Sequence, residues 1–340
     1  MIHGGDIYRN TVTLDFSVNV NPLGIPVRVK QALLEAVELC SQYPDPEMQQ
    51  LRQAVSRMTG VRETQILLGN GASELFMAVV HALRPKKVVI PVPSFYGYEY
   101  AAGAAAEQIL YVPMKQEHGF GSDEELLSVL DEETDLLFLA SPNNPTGKQI
   151  PPEELMRILK HCQQRKIRVV LDECFIEFCD ENASMISQID SWDHLILVRA
   201  FTKIFAIPGV RLGYLVCAEE ALLQQIGRQL PEWNISSFAQ RAGAVCAEEN
   251  GFLQETVRYV RKERTFLETE LRKLGLTVWP GAANFLMIYT EAELYELLLK
   301  QGILIRDCSN FRGLSRGYYR LAVKTREENR RLISAMRTVL

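Results

Sequence analysis

The feature that most constrains the fold is an alternation through the middle of the chain. Five short apolar runs, "KKVVIPV" (86–92), "DLLFLAS" (135–141), "IRVVLDE" (167–173), "LILVRAF" (195–201) and "GYLVCA" (213–218), are separated by stretches with helical patterning. Consecutive apolar positions over so few residues, rich in Val, Ile and Leu, describe strands buried on both faces. Strands that alternate with helices imply a largely parallel sheet covered on both sides, so the expected class is α/β. Two of the intervening helices have readable ends. "GSDEELLSVL" offers Ser122 as N-cap with Glu125 three residues on, and "PPEELMRILKHCQQRK" opens on prolines and glutamates and closes on basic residues, which suits the helix dipole.

After about Leu230 the pattern changes. Residues 236–275 read as one long helical stretch, followed by strand-like "LTVWPGAANFLMIY" and "YYRLAVK" around a helical "EAELYELLLKQG". The expected organisation is a large domain over 41–230 and a smaller α+β domain built from 231–340 with the amino-terminal arm 1–40.

Open α/β sheets place ligands at the carboxyl ends of their strands, so the residues found there carry the functional argument. Lys203 follows the run "HLILVRAF" directly. Most lysines keep the ammonium in water with the stem packed, and that account covers most of those in this chain. One enclosed at a strand end loses basicity, and a neutral amine can attack a carbonyl. Asp172 follows Val169-Val170-Leu171 and is costly there unless a cation or hydrogen-bond donors meet it. A cap on the next segment, a structural arginine, or a protonated heterocyclic nitrogen each satisfies that need.

The remaining loops extend the pattern. "LLGNGASELF" puts a glycine turn and Ser73 at a helix start, which is either an ordinary cap or an anion site. "PVPSFYGYEY" supplies aromatics that pack a core or stack on a flat ring. "SPNNPTGK" holds asparagine amides in a rigid turn, which needs no function but lies at another strand end. Arg211, eight residues after Lys203, suits a phosphate. A lysine for an imine, an aspartate for a pyridinium, an asparagine for a phenolic oxygen and a phosphate cradle together describe pyridoxal 5′-phosphate, which the protein would orient and tune.

On these motifs the chain resembles the aspartate-aminotransferase-like pyridoxal-phosphate enzymes over nearly its whole length. Among them it is most similar to the threonine-phosphate decarboxylases of cobalamin synthesis, and next to the histidinol-phosphate aminotransferases. The resemblance implies that Lys203 carries the cofactor as a Schiff base, Asp172 meets its ring nitrogen, Asn144 its ring hydroxyl and Phe95 its face. It places Ala72, Ser73, Thr202 and Arg211 around the cofactor phosphate. Tyr43, in "SQYPDPE", would reach the phosphate of a neighbouring subunit, which implies a homodimer with shared sites. Arg320, in "YYRLAVK", would clamp the substrate carboxylate. His3, Asn21 and Arg306 become further substrate-side candidates, for a small phosphorylated amino acid or amine. Features favouring the decarboxylase are "HGG", "DFSVNVNPLG", "AIPGVRLGY", "IRDCSNFRGL" and Phe175 in "DECF" where related aminotransferases usually carry tyrosine. Trp233 suits the decarboxylase and Asn234-Ile-Ser-Ser the aminotransferase. Ala200 stands where the family commonly has Ser or Thr on the cofactor phosphate, a loss that Ser237 would have to offset.

The bulk properties agree with a metabolic enzyme. A net charge of -5 and 47% apolar residues speak against a nucleic-acid or anionic-membrane partner. The seven cysteines form no Cys-x-x-Cys pair, which points to reduced thiols without a zinc site or disulfide framework. The start lacks a secretory pattern and no apolar run approaches a membrane span, so the expected location is the cytoplasm.

Overall fold

A computed structural model of the chain describes residues 4–121, 124–179 and 183–340. The cap expected at Ser122 and the candidate His3 lie outside the described residues. The five apolar runs form strands of a seven-stranded sheet, and two more strands join them. In chain order these are β1 (Ile66–Gly69), β2 (Lys87–Val92), β3 (Gln108–Pro113), β4 (Leu136–Ala140), β5 (Arg168–Asp172), β6 (Leu195–Ala200) and β7 (Gly213–Cys217). Across the sheet the order is β1-β7-β6-β5-β4-β2-β3.

Strands β6, β5, β4, β2 and β3 run parallel, whereas β7 is antiparallel to both its neighbours, β6 and β1. The run "GYLVCA" is therefore a strand as expected, but its direction breaks the parallel series. Its connection from β6 holds a one-turn helix, α4 (Phe201–Ile204), and a 3-10 turn, too little to carry the chain back across the sheet for parallel pairing. β1 and β3 escaped the sequence pattern for local reasons. β1 is four residues merging into a glycine turn, and β3 is a half-exposed edge strand without a continuous apolar run.

Burial on both faces follows from the period of two along each strand. Val169, Leu171 and Leu197 pack into one apolar cluster, while Val170, Ile196 and Val198 pack into another on the opposite face. That second face is covered by α2 (Ala72–Leu83) and α3 (Tyr96–Ala105), which contribute Leu75, Phe76 and Tyr98 to it. Alternation along β5 puts Asp172 on this face, where it meets Tyr98. The next residue, Glu173, is buried and pairs with Arg199 at 2.9 Å.

A four-stranded antiparallel sheet is built from β8 (Thr277–Trp279), β9 (Phe285–Tyr289), β10 (Arg306–Asp307) and β11 (Tyr318–Ala322), in the order β10-β11-β9-β8. The amino-terminal arm reaches this part of the molecule through parallel pairing of Leu14–Asp15 with Ile303–Leu304. The stretch 236–275 is two helices rather than one, α5 (Ser237–Cys246) and α6 (Asn250–Lys273). Arg28 of α1 (Val27–Glu35) binds Glu248 at 2.9 Å and Glu249 at 3.0 Å, which pins the joint between them. Ser236 caps α5 by accepting from Ala239 N–H at 3.2 Å. Among the described residues, no helix is long and apolar enough to cross a membrane.

Candidate active site

Because β1, β2, β4, β5 and β6 point the same way, their carboxyl ends share one edge of the sheet. That edge and the second sheet enclose a cavity of about 570 Å3. Ala72, Ser73, Phe95, Asn144, Asp172, Thr202, Lys203, Arg211, Arg306 and Arg320 all line it. Sequence positions spread over some two hundred and fifty residues thus meet at one place.

Lys203 sits in α4, the single turn that starts immediately after β6. Its half-buried amine is lowered to about 8, chiefly by burial and then by the Arg320 guanidinium. A minor fraction of it is therefore neutral at pH 7 and about half at about pH 8, where it can act as base or nucleophile. Asp172 closes β5, where its Oδ2 accepts from the Tyr98 hydroxyl at 2.5 Å and its Oδ1 from Cys174 N–H at 2.8 Å. Burial raises its carboxyl, and the bonds from Cys174 and Tyr98 oppose that shift.

The sequence reading missed the role of Tyr98. Its ring stacks on Phe138 at 5.2 Å between centroids and meets Phe95 edge-on at 5.7 Å. The signal was its position one helical turn after Phe95 in the aromatic cluster, which alone did not distinguish packing from support of a carboxylate.

The start of α2 has the chemistry of an anion site. Gly71 has φ +84°, and a Cβ there would lie 2.5 Å from Arg211 Nη2, so only glycine lets the guanidinium approach the helix start. Arg211 itself is exposed, takes φ 60°, and gives Nη1–H to Pro208 O at 3.3 Å. Gly213 of β7 lies under this turn, and a Cβ there would sit 3.0 Å from Ala72 N. Backbone N–H groups at a helix start beside an arginine favour a phosphate. With a lysine, a carboxylate and a flanking aromatic at hand, these residues fit pyridoxal phosphate.

The opposite wall is cationic. Arg320 of β11 stands directly opposite Arg306 of β10 in the antiparallel register, and both are buried. Arg320 donates Nη1–H to Asn144 Oδ1 and Nη2–H to Ser17 O at 2.8 Å, while its buried Nε has no protein partner. Burial lowers it to about 10. Arg306 donates to Asp307 O at 2.6 Å and to Asn310 Oδ1 at 2.7 Å. Like charges opposed across a strand pair repel, so this wall is set for anions.

Two expected residues, Asn21 and Ser237, are placed elsewhere. Asn21 does not line the cavity, because its Nδ2 donates to Ile204 O at 2.6 Å and to Thr256 Oγ1 at 2.8 Å, which makes it a brace for the lysine turn. Asn19, two residues earlier, lines the cavity instead, and its buried Oδ1 has no protein partner. Tyr43, expected to reach a neighbouring subunit, is 82% exposed and packs against Trp233. Ser237 opens α5 and does not line the cavity, so it does not offset Ala200, which leaves a methyl group in the wall. Phe175 is buried edge-on against Phe285 and offers no hydroxyl to Lys203.

Comparison with known proteins bears on this site. The profile of the family described as aminotransferase class I and II matches residues 11–336. A threonine-phosphate decarboxylase of Salmonella typhimurium strain LT2 is 37% identical over 99% of this chain and 96% of its own length. The crystal structure of a histidinol-phosphate aminotransferase from Clostridium acetobutylicum superposes with a TM-score of 0.90 at 32% identity, covering 96% of this chain and 98% of the other. An L-threonine-O-3-phosphate decarboxylase structure from Porphyromonas gingivalis gives 0.84 at 26% identity, with the same coverage of 96% and 98%. The relative at 37% identity is thus a decarboxylase, whereas of these two structures the aminotransferase has both the higher TM-score and the higher identity.

Proposed function

The chain belongs to the class I and II aminotransferase family, an enzyme family whose cofactor is pyridoxal 5′-phosphate, and from that premise we propose that it decarboxylates L-threonine O-3-phosphate to (R)-1-amino-2-propanol O-2-phosphate. The observation that carries this reading is the opposed pair of buried arginines, Arg306 and Arg320. Two cations held against each other on one wall suit a small substrate that brings a carboxylate and a phosphate together. The identity to the Salmonella decarboxylase supports the same choice.

In this reading Ala72, Ser73, Thr202 and Arg211 hold the cofactor phosphate, Phe95 flanks the ring and Asn144 meets its hydroxyl. When bound, the cofactor supplies an electron sink for the pair released at the substrate Cα. Asp172, fixed by Tyr98 and Cys174 N–H, keeps a negative charge against the ring nitrogen. Arg320 and Arg306 bind the anionic ends of the substrate and orient its Cα. The Cα–carboxylate bond breaks, carbon dioxide leaves, and Lys203 delivers a proton from Nζ to Cα. An amine lowered to about 8 can both hold and release that proton near neutral pH.

The reading includes a homodimer, in a cytoplasmic protein divided at 41–230 and the remainder. Tyr43 and Trp233, whose rings lie 5.0 Å apart, are both exposed, which supports Tyr43 reaching a partner subunit. The aminotransferase reading is favoured by the superposition on the Clostridium enzyme. It uses the same residues, with Lys203 removing the Cα proton instead.

The test is the product formed by cofactor-loaded protein from L-threonine O-3-phosphate with no keto acid present, read by mass spectrometry. Aminopropanol phosphate over many turnovers is the expected result. Unchanged substrate, with amino transfer from histidinol phosphate once 2-oxoglutarate is added, would replace the decarboxylase by the aminotransferase.

A further inference from the structure

The segment that follows β10, residues 308–314, crosses from the four-stranded sheet to the seven-stranded one. Two tight turns shape it, with Phe311 N–H donating to Cys308 O at 2.9 Å and Leu314 N–H to Phe311 O at 3.0 Å. On the cavity side it carries Asn310, which accepts from Arg306, and Phe311, whose ring lies 4.9 Å from the Arg306 guanidinium. Its Gly313 rests against the end of β2, where an added Cβ would lie 3.6 Å from Val92 O and Pro93 N.

Arg312 fixes the far end. It donates Nη2–H to Glu99 Oε1 at 2.9 Å and Nε–H to Glu99 Oε2 at 3.3 Å, and its guanidinium lies 3.9 Å from the centroid of the Tyr111 ring. Glu99 belongs to α3 and Tyr111 to β3, so the contact ties the substrate wall to the sheet that bears the cofactor residues. Arg312, Glu99 and Tyr111 all line the cavity.

We infer that Arg312, clamped between Glu99 and Tyr111, is the latch of a strap that positions Arg306 over the substrate and neutralises a carboxylate at the cavity rim. This deepens the proposed function and rests on its assignment of an anionic substrate to Arg306. Latched, the strap presents Arg306 with Asn310 and Phe311 already in place. Unlatched, Arg306 loses that support and Glu99 faces an incoming anion with an uncompensated charge. Arg312, Glu99 and Tyr111 are positioning residues, because they act through Arg306 and through the charge of the rim.

The test compares cofactor-loaded wild type, Arg312→Gln, and a charge-swapped protein carrying Glu99→Arg with Arg312→Glu. Hydrogen exchange of the amides at 309–314 is followed without substrate. KM and kcat are then measured on whichever of L-threonine O-3-phosphate, or histidinol phosphate with 2-oxoglutarate, the protein turns over. Arg312→Gln is expected to speed exchange several-fold and to raise KM roughly three- to tenfold with kcat and cofactor affinity retained, the size of a partly exposed ion pair plus a cation–ring contact. The charge swap is expected to recover slow exchange and part of the KM. Unchanged exchange in Arg312→Gln overturns the latch. Faster exchange with unchanged KM overturns the positioning role and leaves the proposed reaction intact. A protein that turns over neither substrate refutes the proposed function, while the exchange data still decide the latch.

Discussion

The two walls of the cavity are built by different rules. The wall proposed to hold the cofactor is one edge of the seven-stranded sheet, and its polar groups sit at strand ends, in the loops that follow them or in the first turn of a helix. The wall proposed for the substrate gathers Ser17 and Asn19 from the arm and Arg306 and Arg320 from a second sheet, and Asn144, in the loop after β4, joins the two walls by accepting from Arg320. On the first wall the buried Asp172 carboxylate is met by Tyr98 and Cys174. On the second, Asn19 Oδ1 and Arg320 Nε are buried without protein partners. Unmet buried groups cost stability, so the second wall is where binding energy from a ligand is still to be gained.

The largest break in this contrast comes from Lys203→Met, which removes an amine that burial holds below its ordinary basicity. Turnover is expected to fall by at least about 10³-fold, since a positioned acid–base group alone is worth roughly 10²–10⁴. Stability of the cofactor-free protein should move the other way. The folded amine titrates at about 8, below its unfolded value, so below that pH both states are charged and folding bears the whole cost. Between about 8 and the ordinary lysine value the unfolded chain binds more protons, and wild-type stability rises with pH. The variant should therefore gain on the order of 1–3 kcal/mol near pH 7, a gain that shrinks over that alkaline window. Urea unfolding at several pH values measures it, and a pH-independent difference would mean that the amine is not the source.

Arg320→Lys probes the other wall. A lysine keeps the charge but loses the planar fork that serves Asn144 and Ser17 together with a carboxylate. We expect kcat/KM to drop about 10²-fold, in line with roughly 2–5 kcal/mol for a buried hydrogen-bonded charge pair, with cofactor affinity changed less than threefold. A comparable loss of cofactor affinity would show that the two walls are not separable.

That separation also explains what could be read in the sequence. Lys203, Asp172, Asn144 and Phe95 each follow a strand signal directly, so a one-dimensional pattern suffices to place them at one edge. The arm behaves differently, since "SVNVN" has no strand partner of its own to fix a register, and Asn19 and Asn21 are equivalent as text. Only the packing of Asn21 against Ile204 and Thr256 sends one inward and the other to the cavity. β7 is a similar case, because an apolar run reports burial and not direction. The break between α5 and α6 falls at residues 247–249, where Arg28, more than two hundred residues away, pairs with Glu248 and Glu249, a contact the text of the sequence does not reveal.

Tyr98→Phe sharpens the comparison from inside the cofactor wall. It keeps the ring packing and leaves one lobe of the Asp172 carboxylate without a donor. An unsatisfied buried charge-assisted bond costs about 1–3 kcal/mol, so denaturant unfolding should show a loss of that size. The carboxyl of Asp172, already raised by burial, would rise further, weakening its hold on the ring nitrogen. A shift in the pH dependence of the bound cofactor's absorbance reports that change, and an unmoved profile would assign Tyr98 to packing alone.

The smallest expected effect is also the one place where the cofactor wall lacks a group. Ala200 ends β6 opposite Gly213, whose neighbours include the start of α2 at Ala72. Its methyl contributes nothing polar there. Ala200→Ser adds a hydroxyl at a site already shaped for a small side chain, so neither cavity nor overpacking is introduced beyond one oxygen. A single added hydrogen bond is worth about 1 kcal/mol, or roughly fivefold in affinity. Cofactor binding should tighten by that factor in a fluorescence titration, with kcat unchanged, because the bond is made equally before and during reaction. Unchanged affinity would mean that Ser73, Thr202 and Arg211 already saturate the phosphate, and the cofactor wall would then be complete without the missing hydroxyl.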